Sequence, residues 1–175
     1  KAANAADFND LINLVVKIWT EHPEILKRYQ QRFRYLLVDE YQDTNRAQYQ
    51  LIRLLGSGHG NVMVVGDDDQ SIYGFRGADV RNILDFQKDF PQTSVVRLEQ
   101  NYRSTAHILS AANAVVKNNS HRMEKELWTA DEPGQKLGMI VGRDEPEEAN
   151  KVLDRIRSLV RDGYRYGDMA IIYRT

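Results

Sequence analysis

No cysteine occurs among the 175 residues, which excludes disulfides, thiolate metal sites and a cysteine nucleophile and fits a reducing compartment. The four histidines, His22, His59, His107 and His121, are too scattered for a zinc motif. No charge sign dominates. With 24 basic against 25 acidic residues the net charge is -1, so the chain as a whole is no basic nucleic-acid binder and any such contact must be local. No apolar run approaches the roughly 18 residues that span a bilayer, and no signal-peptide pattern opens the chain. The default expectation is therefore a soluble cytoplasmic protein with no membrane contact. Internal repeats and low-complexity tracts are missing too, and no composition shift marks a domain boundary. The best candidate lies near 99–104, where a strand-like run ends in a polar connection.

What is present is short apolar runs alternating with amphipathic stretches. Leu11, Leu14, Val15, Ile18 and Trp19 recur at helical spacing, with Asp7 or Asn9 as a cap. Residues 35–38 read as a strand, about 45–55 as a helix with the stripe Ala47, Leu51, Leu54 and Leu55, and 62–65 as a second strand. Further on, 79–89 predict a helix stopped before Pro91, 94–98 a strand, and about 104–117 a helix. Residues 118–136 are polar and irregular, and then come a strand (137–141), a helix (145–161) and a strand (169–173). This pattern predicts an α/β fold, a parallel sheet with helices on both faces.

Both early strands end in acid. Asp39, Glu40 and Asp43 follow the first, in DEYQDT, and Asp67-Asp68-Asp69 follow the second. Charged groups beside a core are costly to desolvate unless a basic side chain, backbone donors or a metal offsets the cost. Ligands of open parallel sheets sit beyond the carboxyl ends of the strands, which is where these acids lie. Asp39 and Glu40 suit magnesium held against a nucleotide, one binding the ion and its neighbour orienting water. The bland alternative makes them loop acids and Asp43 a helix cap.

The stretch GDDDQSIYGFRGA, Gly66 to Ala78, sets three mutually repelling aspartates beside a loop in which Gly74 and Gly77 flank Phe75 and Arg76. Aromatic and arginine side chains on such a loop can stack unpaired bases, although Tyr73 and Phe75 could equally tuck the loop onto the core. In LEQNYRS, Leu98 to Ser104, Tyr102 could stack on a flat ring and Arg103 could reach an anion on a neighbouring domain, or form a surface salt bridge.

Taken in order, the three stretches resemble motifs II, III and IV of the superfamily 1 DNA helicases, the UvrD/Rep family in particular. Asp7-Phe-Asn-Asp-Leu11 looks like that family's stretch before motif II, and Ala170-Ile-Ile-Tyr-Arg174 like its strand after motif IV. The resemblance implies RecA-like P-loop NTPase halves with ATP and Mg2+ between them. Asp39 and Glu40 would hold the metal, with Glu40 activating water. Gln70 would sense the γ-phosphate, Tyr102 would stack on adenine, and Arg103 would act as an arginine finger. Tyr73, Phe75 and Arg76 would line a single-stranded DNA track, and Phe75 stands where many relatives have tryptophan.

No G-x-x-x-x-G-K-[ST] occurs, and the glycines of 56–60 do not replace it because no lysine and hydroxyl follow them. The family's first adenine-contacting motif and its motifs V and VI are missing as well. The expectation is thus an internal piece of a longer polypeptide. Residues 1–99 would end the first RecA-like motor domain and 100–175 begin the second. The parent would be an ATP-dependent helicase of DNA repair or replication acting on single strands and DNA junctions, with the rest of the same polypeptide as a partner. The alternative is a non-hydrolysing DNA- or protein-interaction module with a decayed helicase fold.

Overall fold

The computed structural model describes residues 6–120 and 122–173; His121 and Arg174, both named above, lie outside them. Helix α1, Phe8–Glu21, begins at Asp7, whose carboxylate accepts from the Asp10 amide while Asp10 returns a bond to the Asp7 amide. This reciprocal cap satisfies two of the amides that a helix start leaves unpaired. Helix α2, Pro23–Arg32, was not anticipated, although its signals are local: proline in the first turn, Glu24 beside it and Arg32 in the last turn.

Strand β1, Leu36–Val38, helix α3, Arg46–Gly56, and strand β2, Val62–Val64, form one β-α-β unit. The strands pair in parallel, Leu36 opposite Val62, Leu37 opposite Met63 and Val38 opposite Val64. The Val65 amide donates to the Val38 carbonyl (2.8 Å) and the Tyr41 amide to the Val65 carbonyl (3.0 Å), so the pairing runs on into the acidic segments. Helices α1 and α2 lie against α3.

The core gathers Tyr41, Ile52 and Phe86, with Val38, Tyr49, Val62, Val64, Ile83 and Phe90 around them. Tyr41 meets the Phe86 ring edge-on at 5.6 Å, and Phe86 stacks on Phe90 at 4.8 Å. Burying aromatic rings of this size dominates the stability of so small a core. Only one face of the strand pair is covered in this way; Leu37 and Met63, on the other, are exposed.

The helix expected over 79–89 is two short ones, α4 (Arg81–Leu84) and α5 (Phe86–Asp89), because Asp85 sits at φ −96°, ψ 3° and breaks the ladder between them. Helices α6, Ala106–Val116, and α7, Glu145–Arg161, are close to expectation, α7 capped by the Asp144 carboxylate on the Glu147 amide (2.8 Å). The strands expected over 94–98, 137–141 and 169–173 do not form a ladder among the described residues. A strand exists only through a neighbour that takes its amides and carbonyls, and these runs have none here. Trp128 alone bridges back, donating to the Glu99 carbonyl (3.0 Å) and accepting from the Asn101 amide (2.7 Å). No helix among the described residues is long and apolar enough to cross a membrane.

Candidate nucleotide site and aromatic loop

The acidic turn after β1 is held in a costly shape. Glu40 adopts φ 49°, ψ 43°, the left-handed region, and is the one non-glycine with positive φ among the described residues. A side chain there costs about 1–2 kcal/mol, and such strain collects at functional sites. Bonds on either side enforce it. Asp39 Oδ1 accepts from the Glu40 amide (2.9 Å), and the buried Tyr41 anchors the next residue in the core.

Gln42, wholly buried, ties the two acidic segments together. Its Nε2 donates to Glu40 Oε2 (2.8 Å) and its Oε1 accepts from the Asp67 amide (3.0 Å). A Cβ at Gly66 would collide with that same Oε1, so glycine is required there for space. Sequence reasoning passed over Gln42. An amide with both ends buried offers two donors and an acceptor that must find partners, but nothing local names them. The helix-cap role offered to Asp43 belongs to Asn45, whose Oδ1 accepts from the Gln48 amide (3.0 Å) while Gln48 Oε1 accepts from the Asn45 amide (2.9 Å).

The three aspartates after β2 are compensated from far along the chain. Lys125 Nζ lies 2.6 Å from Asp67 Oδ1, 2.9 Å from Asp68 Oδ1 and 3.3 Å from Asp69 Oδ2. Arg122 grips Asp69 in a fork, with Nε 3.1 Å and Nη2 2.8 Å from Oδ2, and the Met123 amide donates to Asp68 Oδ2 (2.8 Å). The Asp68 and Asp69 side chains are 4% and 6% exposed. Burial alone would push the Asp69 carboxyl up, but the bonds from Arg122 and Asn119 and the Lys125 charge outweigh it and hold it below the usual carboxylate range. Burial works against the Lys125 charge, yet its bonds to Asp67 and Asp68 keep its pKa above that of a free lysine. The three carboxylates have the spacing of a metal cluster, with oxygens within 4.8 Å of one another, but the ammonium stands where a cation would sit.

Asp39, Glu40 and Gln70 open into one cavity of about 680 Å³ beyond the carboxyl ends of β1 and β2, shared with Asp67, Asp68 and Lys125. Asp39 Oδ2 and Glu40 Oε1 have no partner among the described residues, and hard carboxylate oxygens of two residues lining one cavity suit Mg2+ held directly or through water. Gln70 spends its Nε2 on Asp67 Oδ2 (2.8 Å). Tyr102 and Arg103 do not line this cavity; both are exposed on a turn that Asn101 shapes by accepting from the Arg103 (2.9 Å) and Ser104 (2.8 Å) amides.

The aromatic loop is a separate surface. Gly74–Arg76 form one tight turn closed by Gly77 at φ 86°, a conformation that favours glycine; Gly74 needs no such freedom. Phe75 is 80% exposed, its ring 6.0 Å from that of Tyr73, and the Arg76 guanidinium lies 5.4 Å from both centroids. The loop is therefore not tucked onto the core. It presents a cation and two rings to solvent.

The stretches that carry the strand-end acids and the exposed aromatic turn match a known family in sequence. The UvrD/REP helicase N-terminal domain model matches residues 1–91, and the UvrD-like helicase C-terminal domain model matches residues 96–175. The chain belongs to the UvrD/REP helicase family, as its three motifs indicated. Among curated relatives it is similar to the ATP-dependent DNA helicase PcrA of Staphylococcus aureus, 53% identical over 171 residues, covering 98% of this chain and 23% of the relative. To the PcrA of Staphylococcus epidermidis it is 51% identical over 171 residues, covering 98% of this chain and 24% of that protein. The chain thus spans about a quarter of the length of these relatives.

Proposed function

We propose that this chain is an internal segment of a cytoplasmic ATP-dependent DNA helicase. Residues 1–99 would be the end of its first RecA-like motor domain, with helices on both sheet faces once the fold is complete, and 100–175 the start of its second. The observation that carries this reading is the meeting of Asp39, Glu40 and Gln70 in one cavity at the carboxyl end of a parallel strand pair. The names of the PcrA relatives support the reaction class. Asp39 and Glu40 would hold Mg2+, which supplies charge neutralisation at the phosphates of ATP. Glu40, held by Gln42 and by its left-handed backbone, orients the attacking water. Gln70 reports on the γ-phosphate, Tyr102 stacks on the adenine ring, and Arg103 meets charge that develops on the transferred group. The cradle for the phosphates lies outside these 175 residues, so this segment provides only part of the site.

ATP turnover by the full-length protein, with and without single-stranded DNA, tests the proposal. DNA-stimulated turnover that disappears in Glu40→Gln is expected; a full-length protein that binds DNA but never hydrolyses ATP would return the reading to a non-hydrolysing module.

Tyr73, Phe75 and Arg76 would line the single-stranded DNA track. Because Phe75 is exposed, Phe75→Ala should weaken single-stranded DNA binding by about 1–3 kcal/mol without lowering the melting temperature, and Arg76→Ala should also flatten the salt dependence. Fluorescence titration at several salt concentrations, beside a melting curve, checks both. Loss of stability and of DNA-free turnover together would mean that the rings serve the fold.

A further inference from the structure

Lys125 begins a continuous polar path into the candidate nucleotide site. Its Nζ holds Asp67 Oδ1 (2.6 Å), and the other oxygen of the same carboxylate takes the Gln70 amide (2.8 Å). The Asp67 backbone amide donates to Gln42 Oε1 (3.0 Å), and Gln42 Nε2 donates to Glu40 Oε2 (2.8 Å). Lys125 and Arg122 lie within the second matched family model and every other member of this path within the first. At 17% and 14% exposure their side chains are removed from most screening by water. A lone buried carboxylate cluster would drift apart or take up protons; gripped from both ends, it has one arrangement.

We propose that Lys125, assisted by Arg122, is a positioning residue for ATP hydrolysis: by fixing the Asp67–Asp69 turn it sets the direction of the Gln70 side chain and, through Gln42, that of Glu40. The Lys125 ammonium is taken up by the three aspartates and acts through the turn it holds. The inference rests on the helicase reading above and adds a link between the two halves. A shift of the 122–125 segment relative to the strand-end turn would loosen Asp67 and free Gln70 and Glu40 together, because both hang on that one residue.

The test uses the full-length protein. Lys125→Met, Lys125→Arg and the double variant Lys125→Met with Asp68→Asn are compared with wild type for kcat and KM for ATP at saturating single-stranded DNA, and for melting temperature. The expected result is a fall in kcat of about 10–100-fold in Lys125→Met, the size that a misplacement of about 1 Å produces, with KM little changed. Lys125→Arg, which keeps charge and reach, should retain most of the turnover. Lys125→Met leaves buried charge uncompensated, so the double variant, which removes one carboxylate as well, should regain melting temperature while kcat stays low. If Lys125→Met is insoluble, the double variant decides on the same criterion. Turnover within about twofold of wild type in Lys125→Met, or turnover returning with stability in the double variant, overturns the inference and leaves the helicase reading standing. A wild-type protein without ATP turnover overturns the helicase reading first, and the inference with it.

Discussion

Arg103→Ala in the full-length protein is expected to cut ATP turnover by about 10³–10⁵-fold while nucleotide binding weakens far less. An arginine that meets charge only in the transition state leaves ground-state affinity almost untouched, so the loss appears in kcat. The competing view makes Arg103 a surface ion-pair partner, worth about 0–1 kcal/mol and so within a factor of about five in rate. The structure weighs against that view, since the guanidinium has no ion-pair or hydrogen-bond partner among the described residues. Asn101 meanwhile holds the Arg103 and Ser104 amides and fixes where the side chain leaves the turn. Single-turnover kinetics beside a nucleotide titration separate the two views. A rate within fivefold of wild type would remove Arg103 from the site.

The 175-residue chain by itself is expected to hydrolyse no ATP, with or without single-stranded DNA. Phosphoryl transfer is catalysed mainly by positioning and charge stabilisation, and no stretch of this sequence can form the lysine-bearing loop that cradles the phosphates. Asp39, Glu40 and Gln70 share a cavity, yet without that cradle nothing holds the γ-phosphate in line with water. The loss should reach many orders of magnitude, beyond that of any single substitution. Phosphate release by the purified chain provides the measurement. Steady turnover abolished by Glu40→Gln would show that the acids and Gln70 suffice.

Local order was legible wherever a feature closes within a few residues. The apolar run Leu36–Val38, the stripe of α3, the extent of α7 and the Asp7 cap of α1 each depend on residues within a few turns, so spacing alone reveals them. The three motifs also sufficed for the family, because their residues are close in sequence. The runs at 94–98, 137–141 and 169–173 have strand composition but form no ladder, for the opposite reason. Their extended shape depends on partners that these residues do not provide, and Ile172 is left 95% exposed.

The sequence by itself determined α1, α3, the two strands of the first half and the acid at both strand ends, whereas the exposure of Tyr73, Phe75 and Arg76 was decided by the fold. Tertiary structure alone also decided how that acid is compensated. The three aspartates could have found a metal, a helix end or a base, and composition does not choose among them. The partner is Lys125, 57 residues beyond Asp68, with Arg122 beside it. Gln42 likewise gained its role only when folding laid Glu40 and the Asp67 amide on either side of it. Such pairings carry no periodicity, because they depend on the path of the whole chain; desolvation then makes them obligatory, since a buried charge must take whatever partner the fold delivers.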